Sequence, residues 1–178
     1  MGRPFYTIGH SDRSLQAFEA LLREAGVQRV VDIRRLPGSR AHPQFDSEPL
    51  REALAADGIG YDYAAALGGR RGRDRHVPEE VNALWRNRSF HNYADYSLSD
   101  EFAAALDALV ASGRERTSTV MCAEAVWWRC HRRIVADYLL ARGEQVFHIL
   151  SAGRIEPARM TEGAVPRPDG KVVYPAVG

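Results

Sequence analysis

Short apolar strands alternate with amphipathic helices along almost the whole chain, and no other feature of the sequence restricts the fold as much. Residues 5–8 read as a strand that stops at Gly9, His10 and Ser11. Leu15, Phe18, Leu21, Leu22 and Ala25 follow at helical spacing, with Ser14 placed as a cap and Gly26 as a stop. A second strand is expected over 27–33, a helix on Leu50, Ala53 and Leu54 ending near Gly58, and a third strand over 59–63. After a polar stretch, Phe102, Leu106, Leu109 and Val110 mark a helix that Gly113 should end. A fourth strand over 117–122, a helix over 129–142 and a fifth strand over 145–150 complete the pattern.

Parallel neighbours need crossovers, and helices supply them, so this order predicts an α/β fold: a Rossmann-like or flavodoxin-like three-layer sandwich with a mainly parallel sheet. Residues 1–152 are expected to form one α/β domain. Residues 153–178, with Pro157, Pro166, Pro168, Pro175 and a turn signal at Asp169 and Gly170, are expected to form a C-terminal arm or small hairpin.

Composition narrows the function classes. With 45% hydrophobic and 26% charged residues the chain is not a disordered one. No apolar run approaches the roughly 18 residues of a membrane helix, and the start lacks the apolar stretch of a signal peptide, so no membrane partner and a cytoplasmic location are expected. The 24 basic and 23 acidic residues nearly balance, which argues against wholesale wrapping of nucleic acid. Lys171 is the only lysine, so every other basic side chain is a guanidinium fork suited to phosphate or carboxylate. One segment is locally basic: between residues 67 and 91, Arg70, Arg71, Arg73, Arg75, Arg86 and Arg88 face only Asp74, Glu79 and Glu80. It reads as a clamp for a phosphate backbone or as a flexible charged loop.

Ligands of open parallel sheets bind beyond the carboxyl ends of the strands. Strand one ends in His10 and Ser11, strand two in Asp32, Arg34 and Arg35, strand four in Cys122 and Glu124, so His10, Asp32, Arg34, Cys122 and Glu124 are expected at one rim. A cysteine at a strand end facing the start of a helix lies in the field of exposed N–H groups. Cys122 is therefore expected to be the catalytic and more reactive thiol, or else a small buried hydrophobe. Cys130, sharing a face with Ile134, is assigned to core packing, and Cys122 and Cys130 are expected to be reduced. Glu124, His10 and Asp32 are the candidate proton-transfer and orienting groups. Ser11, Arg34, Ser39, Arg40, Tyr93, His131 and Arg132 are the candidate substrate contacts, with the alternative that the arginines serve a salt-bridge network. Trp127 and Trp128 are assigned to packing, and Arg133 and Asp137 to a solvated helix pair.

Several of these residues fall into blocks: Thr7 to Ser11; Asp32, Arg34, Pro37 and Ser39; Leu67, Gly68 and Gly69; Phe90 and Tyr93; Cys122, Ala123 and Glu124 followed by Cys130, His131 and Arg132. In that order, over about residues 5 to 150, they resemble the signature blocks of the domain-of-unknown-function 488 family, with Asp12 where Asn is frequent. The resemblance implies a bacterial or archaeal cytoplasmic α/β domain with its motif residues gathered in one cleft, and supplies no reaction. The residues themselves point to an enzyme using a strand-end cysteine on an anionic, phosphate-bearing substrate, a nucleotide or nucleic acid among them. The alternatives are a non-catalytic nucleotide or nucleic-acid binding module, and a Cys/His metal site built from Cys122, Cys130, His131 and His10. Neither a cofactor nor an oligomeric state follows from the sequence.

Overall fold

A computed structural model describes residues 2–38 and 41–177. Five parallel strands, β1 (Phe5–Gly9), β2 (Arg29–Asp32), β3 (Gly60–Tyr63), β4 (Ser118–Cys122) and β5 (Val146–Ser151), and one antiparallel edge strand, β6 (Arg154–Pro157), form a single sheet in the order β3-β2-β4-β1-β5-β6. A two-stranded ribbon pairs β7 (Val165–Pro166) with β8 (Val172–Val173). Because β6 is bonded to β5, the main sheet continues across residue 152.

The helices are α1 (Leu15–Ala25), α2 (Ser47–Ala56), α3 (Arg88–Tyr96), α4 (Asp100–Glu115) and α5 (Arg132–Ala141). α1 starts where the Ser14 side chain accepts from Ala17 N at 3.1 Å and stops at Gly26, whose φ of 72° is left-handed. Period-two alternation divides each strand between two cores. Ile8, Val30 and Met121 face Phe18, Leu22, Leu50 and Leu54 of α1 and α2, whereas Phe5, Val31 and Val120 face Tyr93 of α3, Phe102 and Leu106 of α4, and Val135 and Leu139 of α5. This is the three-layer sandwich expected from the alternation, with its own strand order.

Two expected boundaries move. α4 runs through Gly113 to Glu115; the glycine is there because a Cβ at that position would lie 2.2 Å from the Phe5 ring. The fifth helix begins at Arg132 rather than 129, after a single 3₁₀ turn at Trp127–Arg129. Asp137 and Arg133 are not a solvated pair: Asp137 is buried, accepts from Thr161 N at 2.9 Å and Tyr174 Oη at 2.7 Å, and so ties the C-terminal segment to α5.

β4 lies between β2 and β1, and this order makes the crevice. The connection leaving β1 runs toward β2 with α1 on one face. The connection leaving β4 runs the opposite way, toward β5, with α5 on the other face. Loops that diverge in this manner leave an opening at the carboxyl edge.

Candidate functional site

At that edge the backbones of two loops extend the sheet: His10 N donates to Cys122 O at 2.9 Å and Ser11 N to Ala123 O at 2.9 Å. Only a hydrogen fits at Gly9, where a Cβ would stand 1.7 Å from Glu124 O. The paired loops, the segment after β2, residues 69–70 and the approach to α5 enclose an open cavity of about 820 Å³. His10, Ser11, Arg34, Tyr93, Cys122, Glu124 and His131, singled out from sequence, line it together with Cys130, Arg35, Arg70 and Arg129. Asp32 stands behind its wall. Ser39 and Arg40 lie outside the described residues.

Among the described residues four arginines, Arg34, Arg35, Arg70 and Arg129, line the cavity against two carboxylates, Asp12 and Glu124. Arg34 is buried and held by Asp32, with Nε to Oδ1 at 3.0 Å and Nη2 to Oδ2 at 2.8 Å, and the Tyr61 hydroxyl donates to the same carboxylate at 2.5 Å. Burial would lower the Arg34 pKa, but the Asp32 contacts outweigh it and raise the value above the ordinary one, so the guanidinium is a fixed charge. His10 stacks on Phe45 at 4.5 Å between ring centroids and lies with Nδ1 2.8 Å from Ser11 O and Nε2 3.4 Å from Arg34 Nη1. Burial first, and the neighbouring Arg34 charge, lower its pKa. The neutral tautomer that satisfies both contacts donates through Nδ1 and accepts at Nε2.

Among the described residues two that are not glycine have left-handed backbones, Ser11 with φ of 50° and Arg70 with φ of 55°, and both line the cavity. Such conformations persist only where the surroundings enforce them, and they concentrate at functional sites.

The thiols occupy the inner end. Cys122 donates its S–H to Glu124 O at 3.6 Å. Cys130, assigned to core packing on the face of Ile134, is buried in that core and also lines the cavity at the foot of α5, where its Sγ accepts from Arg132 N at 3.4 Å and lies 3.5 Å from His131 Nδ1. His131 donates through Nε2 to Ile33 O at 2.8 Å, which leaves the lone pair on Nδ1, and it rests against the Tyr93 ring and the bare Gly69 backbone. Burial keeps its pKa below the usual histidine value.

Both sulfurs accept from Arg132, and their pKa values move apart. Burial, then Cys130, pushes Cys122 well up; burial would also raise Cys130, but Cys122 and Arg132 overcome it and lower the Cys130 value. The helix field assigned to Cys122 from sequence thus acts on Cys130, because the loop after β4 does not open directly into a helix.

Arg132, expected to touch a ligand, is wholly buried and does not line the cavity. Its donors go to Cys122 Sγ at 2.6 Å, Glu124 O at 2.6 Å, Ala125 O at 3.1 Å and Thr7 Oγ1 at 3.3 Å. Thr7 in turn bonds His148 Nδ1 at 2.6 Å, and the His148 ring stacks on Trp127 at 4.6 Å. Arg132 is a positioning group that holds the Cys122 loop in shape. Tyr93 is likewise occupied, its hydroxyl donating to Leu67 O at 2.8 Å, and presents only ring surface.

Among the described residues no three His, Cys, Asp or Glu side chains come together to hold a metal ion. No helix among them is long and apolar enough to cross a membrane. No curated protein and no solved structure matches the chain. A family model described as "Domain of unknown function DUF488" matches residues 14–139, well over half of the 178-residue chain, and the chain belongs to that family.

Proposed function

We propose that the chain is an enzyme whose Cys130 thiol attacks an anionic, phosphate-bearing substrate held in the cleft, nucleotides and nucleic acid being anions of the required chemistry. One observation carries the reading: Cys130 Sγ lies 3.5 Å from the unprotonated nitrogen of a histidine whose other nitrogen is fixed, at the inner end of an arginine-lined cavity. A thiol so placed passes its proton to His131 Nδ1 and becomes a nucleophile. Arg34 supplies a preorganised positive charge, and Arg35, Arg70 and Arg129 are exposed at the rim to take the oxyanion. Glu124, also exposed there, is the group placed to exchange a proton with a leaving oxygen, and His10 holds Arg34 from behind. Ser11, Cys122 and Arg132 shape the loops around the attacking sulfur.

Alkylation followed by peptide mass spectrometry tests this. Cys130 should react before Cys122, with a midpoint pH below the ordinary thiol pKa, and inorganic phosphate or a mononucleotide should protect it. Arg70→Ala and Arg129→Ala should each weaken protection by about tenfold to a hundredfold, the effect of losing one charge-assisted contact of roughly 1.5–3 kcal/mol. Preferential labelling of Cys122, or a Cys130 rate indifferent to every anion, would overturn the reading. Full retention of anion affinity together with an inert Cys130 would identify a binding module that uses the same arginines.

A further inference from the structure

We propose that Cys130 and Cys122 act as an attacking and a resolving thiol, which makes the inner end of the cleft a two-electron redox site whose oxidising substrate is a small hydroperoxide. The inference rests on the reading of Cys130 as the nucleophilic sulfur and adds a second role for that sulfur and a first one for Cys122.

Geometry assigns the two roles. Cys130 Sγ is met by a backbone N–H and by the open nitrogen of His131, both of which favour loss of its proton, while Cys122 keeps its proton engaged on Glu124 O. Both sulfurs are free, buried thiols and both line the same cavity. A small peroxide entering the cavity meets Cys130 with its proton already directed to His131. Arg132 reaches both cysteines, through its backbone N–H to Cys130 and its guanidinium to Cys122, so the two are carried on one rigid side chain and its own main chain. A structural cysteine pair needs neither the histidine nor the opening.

The chemistry closes in two steps. The Cys130 thiolate attacks the distal oxygen of the hydroperoxide; an S–O bond forms, the O–O bond breaks, and the departing alkoxide takes the proton that His131 received from the thiol. The products are a Cys130 sulfenic acid and an alcohol. Cys122 sulfur then attacks Cys130 sulfur, the S–O bond breaks, and the leaving hydroxide takes the Cys122 proton as water, giving a disulfide between Cys122 and Cys130. The Arg132 guanidinium, 2.6 Å from Cys122 Sγ, favours the thiolate that forms as that proton leaves. An external dithiol returns two electrons and two protons and restores both thiols.

The test treats the intact protein with stoichiometric hydrogen peroxide and follows it by non-reducing peptide mass spectrometry, with the alkylation assay above run in parallel. The expected result is an intramolecular bond between Cys122 and Cys130, with loss of two hydrogens, loss of both titratable thiols and full reversal by dithiothreitol. In Cys122→Ser, Cys130 should instead accumulate as sulfenic and then sulfinic acid. If wild-type Cys130 alkylates as described but goes to sulfinic acid without a bridge, the resolving role fails and the nucleophile stands. If neither thiol alkylates preferentially and no bridge forms, both readings fall. Because the wild-type product decides by itself, the test does not depend on how well the variant folds.

Discussion

A single hydrogen at Gly9 allows the strand that carries His10 to approach the carbonyl of Glu124, and the carbonyl is backbone that cannot rotate aside. Gly9→Ala should therefore lower the unfolding free energy by about 3 kcal/mol or more, at or beyond the upper end of ordinary overpacking. Urea denaturation checks it; a loss under about 0.5 kcal/mol would mean that the two loops part without penalty. At this scale seven of the candidate site residues read from the sequence line the cavity, because polar groups after apolar strands are conspicuous. The sequence assigned the helix field to Cys122, whereas α5 starts at Arg132, whose N–H meets Cys130, and the 3₁₀ turn at Trp127–Arg129 separates Cys122 from that helix. It also read Arg132 as a ligand arm. The bonds that bury this guanidinium include one to Thr7, 125 positions away, and no local pattern announces such a partner.

Helix propensity and packing make opposite forecasts for the interior of α4. In an isolated helix Gly→Ala stabilises by about 1 kcal/mol. At Gly113 the added methyl would meet the Phe5 ring at 2.2 Å, so Gly113→Ala should instead destabilise, by about 1–3 kcal/mol, and thermal or urea unfolding reads the sign directly. A stabilised variant would show that β1 and α4 have room to separate. α1 was legible to its caps because Ser14, its apolar stripe and Gly26 all agree. α3 was not, because it buries His91, Asn92 and Asp95 beside Tyr93 and Ala94, and the polar residues blur the apolar periodicity. The insertion of β4 between β2 and β1 was equally hidden. Each strand has the same local character whichever neighbours it takes, and only the packing of the helices decides the order.

Burial lowers the pKa values of three histidines, His10, His131 and His148, the last to about 3, so the folded protein holds them neutral where the unfolded chain takes up protons. The stability they contribute is complete above the unfolded value near pH 6.5 and declines as the pH falls toward the folded one. For His148 alone the loss between pH 7 and pH 5 should be about 2 kcal/mol. The buried carboxyls of Asp95 and Asp137, whose values burial raises, act in the opposite sense as the pH drops further toward their unfolded value. Urea midpoints at the two pH values, compared between the wild type and His148→Asn, isolate the histidine, since the amide oxygen can still accept from Thr7. An unchanged difference in the variant would assign the effect elsewhere. A separate consequence follows from Asp137, a carboxylate on α5 whose hydroxyl donor, Tyr174, comes 37 positions later. Synthesis is vectorial, so on the ribosome the helix that begins beside Cys130 and His131 emerges before the groups that compensate its interior charge. The nascent chain must either keep Asp137 hydrated or protonated until residue 174 emerges, and the cleft acquires its final shape only after that segment has docked on α5.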